Sequence, residues 1–160
     1  MPYFTHLMAV AAIAGEFGGS EDQIVAALLH DAPEDQGGRA MLDTIRARFG
    51  ATVADLVEAC TDTFETPKPP WKRRKLDYIA GIPKKPLAAR LIIAADKIHN
   101  LRSMYTDYQT VGNRLWDRFT ASREETLWYY KSVHEAIANG WSNPILIEYA
   151  RSFVALENYK

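Results

Sequence analysis

The chain has 160 residues, a formal net charge of −1, 48% apolar residues and 24% charged residues. This is the make-up of one soluble domain long enough for a real core, and it excludes a disordered chain, a collagen-like chain and a disulfide scaffold. The near-neutral balance gives no bulk attraction to nucleic acid or to an anionic membrane. Cys60 is the only cysteine, which rules out an internal disulfide and a cysteine-based zinc knuckle.

The apolar runs 8–15 and 91–95 are far short of a membrane span. Residues 1–19 end in small residues, as a signal peptide does, but they lack a basic n-region, and His6 and Glu16 sit badly for one. A cytoplasmic location is therefore expected. The charge is unevenly spread: residues 1–66 hold 11 acids and 3 bases, net −8, whereas residues 67–160 hold 9 acids and 16 bases, net +7. The densest basic stretch carries Lys68, Lys72, Arg73, Arg74, Lys75, Lys84 and Lys85. It reads as a solvated helix surface, or as a basic half that meets a phosphorylated substrate beside an acidic, cation-binding half.

Almost every segment reads helical. An alanine-rich helix over 6–17 stops at Gly18-Gly19. Ser20 and Gln23 form a capping box for a helix running to about Asp31. Pro33 ends it, because Ala32 before a proline disfavours helix. Short helices follow over 41–49, closed by Gly50, and over 51–60, with Thr52 as N-cap. After a proline-rich loop at 66–70 the pattern predicts a helix over 71–80, then a long apolar one to about Met104 with Pro86 in its first turn. A second long helix is expected over 113–138, stopped by Gly140, and a last one from Asn143-Pro144 toward Leu156. Leu91-Ile92-Ile93 alone is compatible with a strand, but no strand pair is found. The expected fold is all-α, one domain over residues 1–160.

Three segments carry the chemistry: PYFTH at 2–6, HDAPED at 30–35 and DKIHNLR at 96–102. Asp96 follows five apolar residues in a helix that must be largely buried, and a buried carboxylate needs a partner or a metal. A salt bridge to a nearby Arg or Lys would satisfy it equally well. Asn100 and Ser103 extend a polar stripe on its face. His30-Asp31, where an apolar helix ends, suits a divalent ion such as Mn, Fe or Zn, although a histidine at a helix C-terminus also meets the dipole. With His6, the set offers two imidazoles and two carboxylates from three helices. Glu34 and Asp35 follow Pro33 and read as water-orienting or proton-shuttling acids beside such an ion, or as a solvated acidic loop. His99 and His134 read as structural; His99 points about 100° away from Asn100 and about 60° from Asp96, which leaves a supporting role open. Cys60 reads as core.

These residues resemble the H…HD…D signature of HD-domain metal-dependent phosphohydrolases. The segments PYFTH, HDAPED and DKIHNLR are similar to the Pro-Tyr-x-x-His, HDxxED and Asp-Lys-x-His-Asn-x-Arg segments of the hydrolase domain of Rel/SpoT alarmone enzymes and of small alarmone hydrolases. Residues 46–53 (RARFGATV), 71–79 (WKRRKLDYI) and 125–130 (ETLWYY) look like that family's intervening helices, so the resemblance covers roughly 2–138. It implies an all-helical HD fold and a divalent ion, most often manganese, held by His6, His30, Asp31 and Asp96. It implies Glu34 and Asp35 as the catalytic acidic pair, and Asn100, Ser103 and Tyr130 against the nucleotide. The implied reaction removes the 3′-diphosphate of (p)ppGpp, giving GDP or GTP plus pyrophosphate.

Two departures stand beside it. Members of that family carry a helix ahead of Pro-Tyr-x-x-His that supplies an Arg-Lys pair to the substrate; this sequence opens at Met1-Pro2, and its first basic residue is Arg39. Leu7 stands where the family has proline. The expectation is a chain without that helix and with a weakened substrate site. An apolar face of the first helix would then be covered by a second copy, as a homodimer, or by residues 143–160 folding back. The alternative functions are an HD-fold regulatory module that binds metal or nucleotide with little turnover, and an HD phosphohydrolase of another nucleotide.

Overall fold

The computed structural model describes residues 2–159, and among them every regular element is a helix, with no strand. The α-helices are α1 (Tyr3–Glu16), α2 (Glu21–Leu29), α3 (Ala32–Gln36), α4 (Gly38–Phe49), α5 (Ala51–Cys60), α6 (Trp71–Gly81), α7 (Leu87–Val111), α8 (Arg123–Ala138) and α9 (Ile145–Asn158). 3₁₀ segments lie at Ile82–Lys84, a single turn, and at Gly112–Arg118, about two turns. Among the described residues no helix is long and apolar enough to cross a membrane.

The central element is α7. It packs against α1, α2, α5, α8 and α9, and residues Ala89 to Asp96 of it are all buried. A run of apolar residues with no polar face is what a helix surrounded on all sides requires, so Leu91-Ile92-Ile93 is helix here and not strand. Ile92, Ile93, Ile98 and Leu101 are among its fully buried side chains and join Val10 of α1 and Val53 of α5 in one core.

Local signals set the ends. Gly18, with φ 88, lets Gly18 N donate to Gly15 O and Gly19 N to Ala14 O, the paired bonds that close α1. The Ser20–Gln23 capping box opens α2 as expected. Elsewhere the structure corrects the reading. Pro33 does not merely stop α2; it sits in the first turn of α3, where its missing N–H costs nothing. Thr52 does not cap α5: Gly50 is the N-cap, and no side chain bonds there. Pro86 is the N-cap of α7 and not its first turn. The single helix expected over 113–138 is two pieces. Gly112, with φ 61, ends α7, and α8 starts only at Arg123, behind a Ser122–Glu125 capping box. The expected last helix is α9, with Asn143 Oδ1 accepting from Ile145 N at 2.9 Å. It packs on α7 and α8.

Buried Arg90 shows how a cation serves the fold without serving a site. Its guanidinium donates to the carbonyls of Lys85, Ile137, Asn139 and Pro83. Ile137 and Asn139 lie at the C-terminal end of α8, whose last carbonyls have no partner within the helix.

Candidate metal centre

Three helices bring the sequence-predicted donors to one place. The first turn of α1 carries His6, His30 is the residue that ends α2, Asp31 follows it, and Asp96 projects from the middle of α7. His6, His30 and Asp96 are buried, and one donor atom of each lies within 4.8 Å of the others. His6 Nε2 is 3.4 Å from Asp96 Oδ1 and 3.8 Å from Asp31 Oδ2. His30 Nε2 is 3.2 Å from Asp31 Oδ1 and 3.7 Å from Asp96 Oδ1. Asp31 faces both histidines from the more open side, with its side chain 31% exposed against 10% for Asp96.

Each donor is held from behind. His30 Nδ1 lies 2.7 Å from Ala27 O; a carbonyl can only accept, so Nδ1 carries the proton and Nε2 is left facing the carboxylates. That Nε2 is buried and has no hydrogen-bond partner. His6 Nδ1 lies 2.7 Å from His99 Nδ1. Asp96 divides its oxygens: Lys97 Nζ donates to Oδ2 at 2.6 Å and Asn100 Nδ2 to Oδ1 at 2.6 Å. Tyr3 OH donates to Asp31 Oδ2 at 3.0 Å.

The electrostatics follow from burial and these pairs. Burial pulls the His30 imidazole down, but Asp96 and Asp31 overcome it and hold the ring at about 9, so without an ion its Nε2 carries a proton that a bound cation would displace. Burial would raise Asp96, yet Lys97, with His30 and His6, holds its carboxyl well below the usual range. Burial lowers His99, and the neighbouring His6 lowers it further. Two imidazoles and the Asp96 carboxylate, with Asp31 beside them but outside the set whose donor atoms all lie within 4.8 Å of one another, could hold a divalent cation of the Mn, Fe or Zn type.

The cluster opens into a cavity of about 290 Å³ whose wall includes Glu34, Asp62, Arg74, Lys75, Lys97 and Asn100. Glu34 Oε1 accepts from Asp62 N at 2.7 Å, and Lys68 Nζ stands 3.6 Å from Oε2. Asp35 is exposed and outside the lining of this cavity. Lys75, Lys97, Asn100 and Tyr129 also line a second cavity, which continues past Trp71, Phe119, Thr126 and Tyr130. Ser103 is the expected site residue that falls elsewhere. It lines a separate depression with His99, Arg102, Thr106 and Asp107, because position i+7 keeps the direction of Asp96 but stands two turns, about 10 Å, further along the helix axis.

The basic stretch resolves by residue. Lys68, Lys72, Arg73 and Lys84 are exposed, Lys85 donates to Ala59 O at 2.5 Å, and only Arg74 and Lys75 turn into the cavity. Both are held by Asp62 Oδ2, at 2.6 and 2.9 Å. Sequence reading missed Asp62, Tyr3 and the His6–His99 pair. A tyrosine at i−3 from His6 was a signal for Tyr3; nothing local pointed to the other two. His134 and Cys60 are as expected: His134 Nε2 bonds Leu146 O, tying α8 to α9, and Cys60 is buried.

With this geometry, three comparisons align. The guanosine-3′,5′-bis(diphosphate) 3′-pyrophosphohydrolase MESH1 of Mus musculus is 39% identical over 105 residues, which cover 64% of this chain and 56% of that protein. The chain thus spans little more than half the length of this curated relative. The crystal structure of lmo0812 from Listeria monocytogenes EGD-e superposes with a TM-score of 0.84 at 32% identity, covering 96% of this chain and 99% of that one. A metazoan ortholog of SpoT, described as hydrolysing ppGpp, shares the fold with a TM-score of 0.76 at 24% identity, over 96% of this chain and 80% of that one. Residues 1–127 match the family model of the HD domain, and across that span, well over half its length, the chain belongs to the HD-domain family.

Proposed function

We propose that the chain is a metal-dependent phosphohydrolase that removes the 3′-diphosphate of (p)ppGpp as pyrophosphate, with His6, His30, Asp31 and Asp96 as ligands of a divalent ion, manganese for preference. The observation that carries this is the buried, unpartnered His30 Nε2 aimed at Asp31 and Asp96, beside a cavity walled by Arg74, Lys75 and Lys97. Carboxylates and imidazoles beside fixed cations in one cavity are what a metal-assisted attack on a polyphosphate needs. The relatives named as 3′-pyrophosphohydrolases supply the substrate class.

A bound divalent ion would supply Lewis-acid polarisation of a phosphoryl oxygen and lower the pKa of water. The chain's own residues do the rest. Glu34, whose Oε1 accepts from Asp62 N, is the acid we assign to orienting the attacking water and taking its proton. Asp35 supports it from the rim, near the Tyr3 hydroxyl. Arg74, Lys75 and Lys97 neutralise the diphosphate, while Asn100 and Tyr130 receive the nucleoside at and beyond the passage into the second cavity. The nucleotide substrate is in keeping with a cytoplasmic chain. Phe4 and Met8 of α1, one turn apart, are 64% and 46% exposed, and we assign that face to a homodimer contact; a monomer by light scattering refutes it.

The test is hydrolysis of ppGpp by the manganese-loaded protein with the released product identified. Pyrophosphate and GDP are expected. Binding without turnover would turn the reading to a regulatory module, and turnover of other nucleotides alone would move the substrate.

A further inference from the structure

His6 and His30 reach the same cluster but are oriented by different kinds of partner. Ala27 O, behind His30, can only accept, so His30 has one tautomer. Behind His6 stands another imidazole. The two Nδ1 atoms are 2.7 Å apart and the ring centroids 4.8 Å apart, inclined at 54°. One proton must lie between these nitrogens, and either ring can own it. If His99 owns it, His6 carries its proton on Nε2, which then points at Asp96 Oδ1 and cannot bind a cation. If His6 owns it, Nε2 presents a lone pair 3.4 Å from Asp96 Oδ1 and 3.8 Å from Asp31 Oδ2.

We propose that His99 is a positioning residue: its Nδ1 accepts the Nδ1–H of His6 and so holds His6 in the tautomer whose Nε2 is free to ligate the ion. This rests on the metal reading of the cluster. The helix explains the placement. Asp96, His99 and Asn100 are i, i+3 and i+4 on α7 and share one side of it. That side delivers a carboxylate to the cluster, an acceptor to the back of His6 and an amide donor to Asp96 Oδ1. His6 is buried, 8% exposed, so bulk water is a poor substitute acceptor. Partners of this kind, bonded to the far nitrogen of a metal-binding histidine, fix its tautomer and raise its basicity.

The experiment measures zinc affinity by chelator competition in the wild type, His99→Leu and His99→Gln; zinc is a diamagnetic probe of the same donors. His99→Leu removes the acceptor and is expected to weaken zinc binding by about 10- to 100-fold, while the melting temperature of the metal-free protein changes little. His99→Gln restores a carbonyl acceptor and recovers most of the affinity, which a space-filling role for His99 would not require. Nitrogen NMR of histidine-labelled, zinc-loaded wild type adds a readout that needs no variant: His6 Nδ1 is protonated and His99 Nδ1 is not. Unchanged affinity in His99→Leu, no rescue by Gln, or an unprotonated His6 Nδ1 overturns the proposal and leaves the metal reading standing. A wild type that binds no zinc overturns both.

Discussion

Replacing Asp62 with alanine tests whether the cavity's cations are built into the fold. The Asp62 side chain is 8% exposed, and its Oδ2 accepts from Arg74 at 2.6 Å and Lys75 at 2.9 Å, whose side chains are 17% and 15% exposed. Such a pair on the surface would be worth about 0–1 kcal/mol. Breaking a buried pair by removing one partner costs about 3–5 kcal/mol, because the other charge stays buried without compensation. Here two cations lose one anion, and Lys75, whose ammonium pKa burial and Lys97 already lower, loses the group that raises it. Two facts hold the cost near the bottom of that range. Asp62 Oδ1 and Arg74 Nε have no partner to lose, and neither cation is fully sealed from water. The expected loss is about 3 kcal/mol, which for a domain of this size lowers the melting temperature by roughly 6–12 °C. Urea unfolding of the variant reads it directly. A loss below about 1 kcal/mol would place the trio with exposed ion pairs and refute the reasoning. The double variant Asp62→Ala/Arg74→Leu should recover part of the loss, since it removes one of the stranded charges.

Chelation should lower the melting temperature of the metal-loaded protein; an ion at 100 times its dissociation constant contributes about 2.7 kcal/mol, and full occupancy in Asp96→Ala would sink the ligand assignment. Glu34→Gln should keep the metal and lose turnover by about 10²-fold or more, and Asp35→Asn, at an exposed rim position, should lose less; equal wild-type rates in both return the acids to a solvated loop. Burial pushes the Cys60 thiol up to about 12, so thiolate is scarce at pH 8. Labelling by a thiol reagent should be slow in the folded protein at that pH and fast in denaturant; rapid labelling of folded protein refutes the burial.

How far the sequence could be read depended on whether a signal was local. The Ser20–Gln23 box, the Gly18-Gly19 stop and the apolar run before Asp96 are each complete within a few residues, and each is realised. The break at 112–122 was missed because helical periodicity does not tell a 3₁₀ segment from an α-helix; the Ser122–Glu125 box was the available signal. At the site, HD and DKxHN pointed to the cluster, but their partners lie far along the chain. His99 is 93 residues from His6, and Asp62 is 28 from Glu34. The direction of a side chain on its own helix does not say which neighbouring helix it meets, so a histidine about 60° from Asp96 on α7 could not be matched to its partner on α1. The same holds for Ser103, which shares Asp96's stripe on a helical wheel and lies in another depression in the fold.

The two oxygens of Asp96 are divided so that both readings its burial allowed can hold together. Oδ2 takes the Lys97 ammonium, and Oδ1 takes Asn100 and faces the two histidines. Lys97 therefore balances the buried carboxylate whether or not a cation is present. Replacing it with methionine keeps length and removes that balance. In the metal-free variant the carboxylate keeps only Asn100 and the histidines, and leaving a buried charge without its charged partner costs about 3–5 kcal/mol. In the loaded variant the ion at Oδ1 compensates much of the charge. The melting temperature should then fall more in the chelated Lys97→Met protein than in the loaded one, widening the loaded-minus-chelated difference beyond that of the wild type. Scanning calorimetry of both proteins with and without manganese measures the two differences. An equal difference in wild type and variant would mean that Lys97 and the ion do not act on the same carboxylate, and would remove Asp96 from the ligand set.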